Sequence, residues 1–531
     1  MDAPLRRKLP PFNLKTHGKR IAPREPGELD PITFEVMRHR LWSVNEEGST
    51  TIIHASGSPV VHGTDYNFEI YTANGDIAVS GTFYMIPMYT MTLMIQLVIE
   101  KFGRDINVGD VFVTNDPFIA AVHQSDVQFV APFFHEGELI AWTGCMAHVM
   151  DLGGKEPGSW VPDANSCYEE GLRIPLQRIV DKGVINRGMW DVILNNSRIP
   201  FFVANDFSAF LASHRVTHDR LGDLCRRYGG RTVVDTMNRT IAHTEEQMRA
   251  MLKRLPDGEF SHVCYFDHDG HANNMYRIAC TMTKAADELV FDFSDSDPSI
   301  IGMGNATRSG TMGGVGTMMM GTFGQDLGWN AGLMGPVSVI YAERSILSAE
   351  LPSPVSAGSV TCNWLAEACV AACVAKMMSF NEEFADYVAG PPDGSWLLTQ
   401  FGGTNQHGEP FAVMYMDALA WGGPAYRFRD GVDSGGSLVV GSGGFNDVEL
   451  HEKNSPILYL WRREVPDSGG AGQQRGGNGI EYATAAYDSD EVFGVFASHG
   501  VSLPNMTGVH GAYPARSAAI RSLAAATGWS A

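Results

Sequence analysis

An α+β, multi-domain architecture of mixed β-sheets and packed helices is what this sequence predicts. Three observations carry the prediction. Helix-period apolar patterning alternates with short β-branched and aromatic runs, so neither element type dominates. Glycine-rich loops, not a regular βα alternation, separate the later strands. The chain has 531 residues, enough to bury more than one core, so two or three domains are expected.

The elements follow in order. Asp30-Pro31 reads as a helix N-cap followed by proline at the first helical position, and Phe34, Met37, Leu41 and Val44 continue at helical spacing. Asn74-Gly75 joins two short strands, residues 68–72 and 77–79. Residues 90–102 form an amphipathic helix, and residues 110–114 a strand. A β-hairpin comes next, with one strand over 126–134, a turn at His135-Glu136-Gly137-Glu138 and a return strand over 139–145. Residues 187–228 are helical with a break at 195–200, and 236–255 form a further helix. Pro256-Asp257-Gly258 opens a β-rich segment with strands at 263–266, 276–282 and 288–293. The organisation this implies is a basic N-terminal arm (1–27), an α+β domain (28–255), a β-rich and glycine-rich region (256–514) and a loose tail (515–531).

The hairpin is the chemically informative element. His123 and Asp126 sit three residues apart at its base, and His148 follows the return strand. If Phe134 faces Leu139, antiparallel pairing brings Asp126 beside Ala147 or His148, and a one-residue bulge decides which. Two imidazoles and a carboxylate converging at one end of a hairpin are the ligand set of an open divalent-metal site, which Mn, Zn and Fe all accept. Asp151 reads either as the group that holds an imidazole by its other N–H or as a turn aspartate before Gly153-Gly154.

Composition excludes some function classes. Charged residues are 19% and apolar residues 44%, an ordinary soluble balance. The net charge of −21 argues against a nucleic-acid partner, because phosphate neutralisation needs clustered Lys and Arg. The N-terminal arm, with Arg6-Arg7-Lys8, Lys15, Lys19-Arg20 and Arg24, is the basic exception; it reads as an extended arm on a partner subunit or as simple disorder. The 8 cysteines form no C-x-x-C pair. Cys369 and Cys373, one helical turn apart in a small-residue run, read as a close-packed helix, and Cys145 reads as a buried strand cysteine in preference to a nucleophile. The longest apolar stretch, 85–99, is broken by Thr and Gln, so the chain is expected to be cytoplasmic with no membrane span.

Two glycine-rich runs invite a phosphate-cradle reading. Residues 310–316 lack the Lys-Ser/Thr of a P-loop and read better as close helix packing. Residues 467–479 read as a backbone nest for an anion or as a structural turn.

Several motifs together carry a family resemblance. They are Asn115-Asp116-Pro117-Phe118 followed by His123-x-x-Asp126, and His148-x-x-Asp151-x-Gly153-Gly154 with Pro157-Gly158-Ser159. Further along come Glu170-Gly171-Leu172-Arg173-Ile174-Pro175, Asn305-Ala306-Thr307 and Pro466-Asp467-Ser468-Gly469-Gly470-Ala471-Gly472 with Arg475-Gly476-Gly477-Asn478-Gly479. From about residue 30 to about residue 480 the chain resembles the hydantoinase B/5-oxoprolinase family, which includes the α-type subunits of ATP-dependent ketone carboxylases.

The resemblance implies a hydantoinase B-like fold and a metal bound by His123, Asp126 and His148. It makes Asp65, in Asp65-Tyr66-Asn67, a fourth ligand or acid/base group. It also implies a separate hydantoinase A-type subunit that binds ATP and phosphorylates the substrate, so that this chain works in a hetero-oligomer. The implied activity is hydrolysis of a cyclic amide (a hydantoin, lactam or 5-oxoproline-like ring), with Asp65 or Asp151 as general base on a metal-activated water. Carboxylation of a ketone or aromatic substrate is the alternative, and a non-catalytic scaffold subunit is the third reading. The sequence departs from the family pattern at Ala120-Ala121-Val122, Val149, Tyr89 and Val61-His62-Gly63-Thr64, so His62 or Tyr89 could line an altered pocket, with core packing the plainer role for Tyr89.

Overall fold

The structure is a computed structural model that describes residues 6–15, 17, 29–392, 397–435 and 447–519. Helix α1 (Pro31–Ala55) starts where the sequence places it. The Asp30 carboxylate accepts from the Ile32 and Thr33 amides at 3.1 and 3.0 Å, and Pro31 supplies a pre-set φ. Its buried stripe Phe34, Met37, Leu41 and Val44 is the one the helical spacing indicated. At Gly48 a Cβ would stand 2.5 Å from the Phe68 ring and 2.6 Å from Thr217 Oγ1, so glycine lets the helix lie flat against its neighbours.

After the short α2 (Pro59–His62) come β1 (Tyr66–Thr72), β2 (Ile77–Val79), α3 (Ile86–Phe102), β3 (Val111–Thr114), β4 (Asp126–His135), β5 (Glu138–His148), β6 (Gln177–Asp181) and β7 (Val184–Ile185). These strands build an antiparallel seven-stranded sheet in the order β2-β1-β5-β4-β3-β6-β7. Helices α4 (Arg187–Asn196), α5 (Pro200–Tyr228) and α6 (Gly230–Leu252) follow. One sheet face, with Phe68, Phe129 and Cys145, packs on Phe207 and Phe210 of α5. The other face, with Tyr71, Val130, Trp142 and Met146, packs on α3.

Two expectations are corrected here. The hairpin turn is tighter than the four residues assigned to it: Glu136 and Gly137, with φ of 50° and 81°, form a two-residue loop, and pairing extends through His135 and Glu138. Helix α3 begins at Ile86 and is buried on nearly every side instead of being amphipathic. Its Thr90, Thr92 and Gln96 do not face water; Thr90 Oγ1 accepts from the Gln128 amide at 2.8 Å.

What covers α3 is helix α7 (Arg308–Leu327), which arrives after β8 (Gly258–Phe266), β9 (Tyr276–Ala285) and β10 (Glu288–Asp292). Its glycines permit the approach: a Cβ at Gly313 would lie 2.4 Å from the Ile86 carbonyl oxygen, and one at Gly316 would lie 2.1 Å from the Tyr89 ring. The 310–316 run is therefore helix packing. Strand β11 (Val337–Ile340) pairs parallel to β10 and completes the sheet β11-β10-β9-β8. Helix α8 (Cys362–Met378) lies on that sheet, with the Cys369 and Cys373 thiols directed at the Ile278 and Cys280 carbonyls and all eight cysteines buried and free. Among the described residues, the one helical segment long and apolar enough to span a membrane is Gly358–Met378, which is 89% buried within the protein.

The rest comprises β12 (Leu397–Thr404) and β13 (Pro410–Tyr415), α9 (Val448–Asn454), β14 (Ile457–Glu464), β15 (Ile480–Ala486) and β16 (Val492–Ser498), in two small sheets ordered β13-β12-β16 and β14-β15. The 475–479 end of the 467–479 segment donates its amides inside the chain. Gly476 and Gly477 donate to the Gly470 and Gly423 carbonyls, each at 2.9 Å, and Arg475 pairs with Asp433, as a structural turn requires. The described part of the basic arm lies against this chain: Leu9 donates to the Tyr341 carbonyl, Phe12 and Val339 exchange hydrogen bonds, and Lys8 pairs with Asp292 at 2.7 Å. The rest of the arm, and residues 520–531 of the tail, fall outside the described residues.

Candidate metal centre

The centre sits at the base of the hairpin. A register irregularity between Phe133 and Phe134 lets Phe134 face Leu139 while Asp126 pairs directly with His148, which resolves the alternative with Ala147. Both side chains stand on the sheet face covered by α3. Backbone bonds from His148 to the Asp65 carbonyl (3.1 Å) and from Val149 to the Ser125 carbonyl (2.8 Å) fix that end of the strand. His123 arrives from the loop before β4. Asn115 ties this loop down, its side chain donating to the Gln124 and Leu172 carbonyls and accepting from the Ile174 amide.

His123 Nε2 lies 3.1 Å from Asp126 Oδ1, and His148 Nδ1 lies 3.7 Å from the same oxygen. The two imidazole rings are 5.0 Å apart at 45°, and Trp160 packs against both, at 6.4 and 6.1 Å. One ligand atom from each of His123, Asp126 and His148 falls within 4.8 Å of the others, and the three side chains are essentially sealed from solvent. Asp65, just ahead of β1, brings Oδ2 to 3.9 Å from His148 Nδ1 and stays slightly exposed.

The electrostatics show how much such a cluster costs when left to itself. Burial, reinforced by Asp126, pushes the Asp65 carboxyl up to about 8. Burial and the facing His123 push His148 well below the usual imidazole range. Burial works against charge on His123 too, but Asp126 and Asp65 outweigh it and its pKa is raised. Both Asp126 oxygens, His148 Nε2, His123 Nδ1 and Asp65 Oδ1 are buried without a hydrogen-bond partner. Unsatisfied buried groups at this density are rare in folded proteins. Two imidazole nitrogens and one carboxylate are a donor set that could hold a divalent cation.

The structure separates the other sequence candidates. Asp151 belongs to the turn: its carboxylate accepts from the Gly153 amide (3.0 Å), the Gly158 amide (2.8 Å), the Arg198 amide (2.8 Å) and Arg198 Nη1 (2.9 Å), with no imidazole among its partners. Of its two structural readings, these contacts match the turn aspartate before Gly153-Gly154. Tyr89 is core, and His62 is exposed with Nε2 beside the Ser56 carbonyl. Cys145 points to the opposite sheet face beside His214, its thiol pushed well up by burial.

Sequence reasoning missed three neighbours of the cluster. Trp160 walls the imidazoles. Tyr84 is buried in the field of Asp126 and Asp65. Glu170 accepts from Gln124 and from the amides of Val355 and Ser356. Glu170 stands inside one of the family motifs, but its backbone partners lie 185 and 186 residues away in the chain, and no local pattern signals them.

Comparison with known proteins agrees with the architecture. A sequence profile described as hydantoinase B/oxoprolinase matches residues 30–529. The chain is 28% identical over 458 residues to the caprolactamase subunit beta of Pseudomonas jessenii, covering 85% of this chain and 77% of that one. It is 24% identical over 490 residues to the acetophenone carboxylase delta subunit of Aromatoleum aromaticum, covering 92% and 71%. A solved acetone carboxylase structure, nucleotide-free, superposes with a TM-score of 0.83 at 22% identity, over 92% of this chain and 66% of that chain, which shows a shared fold. With its mixed sheets, packed helices and profile match along nearly its whole length, this chain belongs to the hydantoinase B/oxoprolinase family.

Proposed function

We propose that this chain is the metal-bearing B-type subunit of an ATP-dependent complex that hydrolyses a cyclic amide. The observation that carries the reading is the buried cluster of His123, Asp126 and His148, whose orphaned donor atoms match a divalent cation such as Mn, Zn or Fe. When bound, that ion polarises a substrate oxygen and lowers the pKa of water.

The chain's own residues do the rest. His123, Asp126 and His148 hold the ion from two strands and one loop. Asp65, at the exposed margin of the cluster with Oδ1 unbonded, is the group placed to hold or move a proton. Trp160 and the α3 face of the sheet exclude bulk water. ATP is assigned to a separate A-type subunit, since the 310–316 glycine run lacks the Lys-Ser/Thr of a P-loop and is buried in helix packing. The relatives named as subunits support a hetero-oligomer.

Carboxylation of a ketone is the second reading, favoured by the acetophenone carboxylase relative and the acetone carboxylase superposition. ATP turnover by the natively co-purified complex over lactams, hydantoins and ketones, with and without bicarbonate, tests both. Turnover on a ring amide indifferent to bicarbonate is the expected result. Product from a ketone only with bicarbonate overturns it in favour of carboxylation.

A further inference from the structure

Glu170 is a buried carboxylate with no cation beside it among the described residues; the nearby Arg173 pairs with Asp116 instead. N–H groups hold it from two sides. The Val355 amide bridges both oxygens at 2.9 and 3.0 Å, Oε1 also accepts from the Ser356 amide at 2.7 Å, and Oε2 accepts from Gln124 Nε2 at 2.8 Å. A carboxylate placed so reaches two segments far apart in sequence and ties them together.

Both segments border His123. Gln124 is its chain neighbour. The Ser356 hydroxyl accepts from the Val161 amide at 3.5 Å, next to Trp160, whose ring packs against the His123 imidazole at 6.4 Å. One carboxylate thus joins the loop that carries the imidazole to the loop that borders its aromatic wall.

We infer that Glu170 is a positioning residue for the metal centre, holding His123 in its ligating pose by clamping Gln124 to the Val355-Ser356 backbone. The inference rests on the metal reading proposed above, and it concerns ion affinity, not substrate. Groups that orient a metal-bound imidazole contribute about 10- to 100-fold in affinity.

The test titrates Zn2+ and Mn2+ into chelator-stripped full-length protein in its native complex and reads the dissociation constant, with the Tm of the metal-free protein beside it. Glu170→Gln keeps an oxygen for the Val355 and Ser356 amides but turns an N–H toward the Gln124 N–H, so affinity is expected to fall at least about 10-fold. Adding Gln124→Glu restores a donor–acceptor pair across the clamp and is expected to recover most of that loss. Glu170→Ala removes all four bonds and serves as the limiting case.

Unchanged affinity in Glu170→Gln overturns the clamp while leaving the metal centre standing. A lowered metal-free Tm with no rescue of affinity by the second substitution also overturns it, because Glu170 then serves only the loop fold. A wild-type protein that binds neither ion overturns the clamp and the metal reading together.

Discussion

Asp126 and His148 are direct cross-strand partners, and they are so because the hairpin that carries them slips by one residue at Phe133/Phe134. Without that irregularity the carboxylate would face Ala147, whose side chain points to the opposite sheet face, and the two ligating groups would part. The centre therefore depends on the register of a hairpin whose turn lies at the far end of both strands.

The turn is accordingly a sensitive place. Gly137 has φ 81°, and a Cβ placed there would meet nothing within 4 Å, so only backbone strain opposes a side chain. Gly137→Ala is expected to cost about 1 kcal/mol in denaturant unfolding with the slope unchanged. A neutral result would contradict the two-residue loop.

Gly316 is the point where α7 rests on Tyr89. A Cβ there would stand 2.1 Å from the ring, so Gly316→Ala forces the two helices apart. A loss of roughly 1–3 kcal/mol is expected for overpacking of this kind, read as a lowered denaturation midpoint.

Asp151 holds a loop together. Its two oxygens take four bonds, including the Arg198 guanidinium, which is partly exposed. Asp151→Ala is expected to destabilise by roughly 3 kcal/mol, since buried donors lose their acceptor. Per folded molecule, the variant's turnover should stay close to that of the wild type; loss of turnover at unchanged stability would restore its catalytic reading.

Stability should fall on acidification through a buried histidine. His499 is fully buried with both ring nitrogens unpaired, and burial lowers its pKa to about 4. The unfolded chain titrates near 6.5, so between these values the unfolded state binds the extra proton. The contribution is fully present above about pH 6.5 and is lost as pH falls toward about 4, worth up to about 3 kcal/mol. His499→Gln should flatten the Tm–pH profile over that window; an unchanged profile would place the acid sensitivity elsewhere.

Much of the site is legible in the sequence because its parts are local. His123, Asp126 and His148 lie on one hairpin, and strand pairing predicts their meeting to within one residue. The bulge that settles it comes from the backbone geometry of the turn, which side-chain patterning does not encode. Helix α3 misleads for a different reason. Its threonines and Gln96 carry the pattern of an exposed face, but β4 takes up Thr90 and α7, far along the chain, closes over Ile86 and Tyr89, so the helix is buried on nearly every side. Asp151 and Glu170 likewise take their roles from partners at Arg198 and at Val355-Ser356, which no spacing rule connects to them. The basic arm gives no sign of its docking site, because its partners on β11 and at Asp292 and Glu245 lie more than 200 residues away in the chain.

The central claim is that His123, Asp126 and His148 hold a divalent metal ion. The most direct measurement is the metal content of the natively purified complex by mass spectrometry, for the wild type and for His148→Ala. The account predicts one tightly held transition-metal ion per chain in the wild type and its loss in the variant, with the fold retained by circular dichroism. A wild type free of metal, or a His148→Ala variant that keeps the full complement, would contradict it.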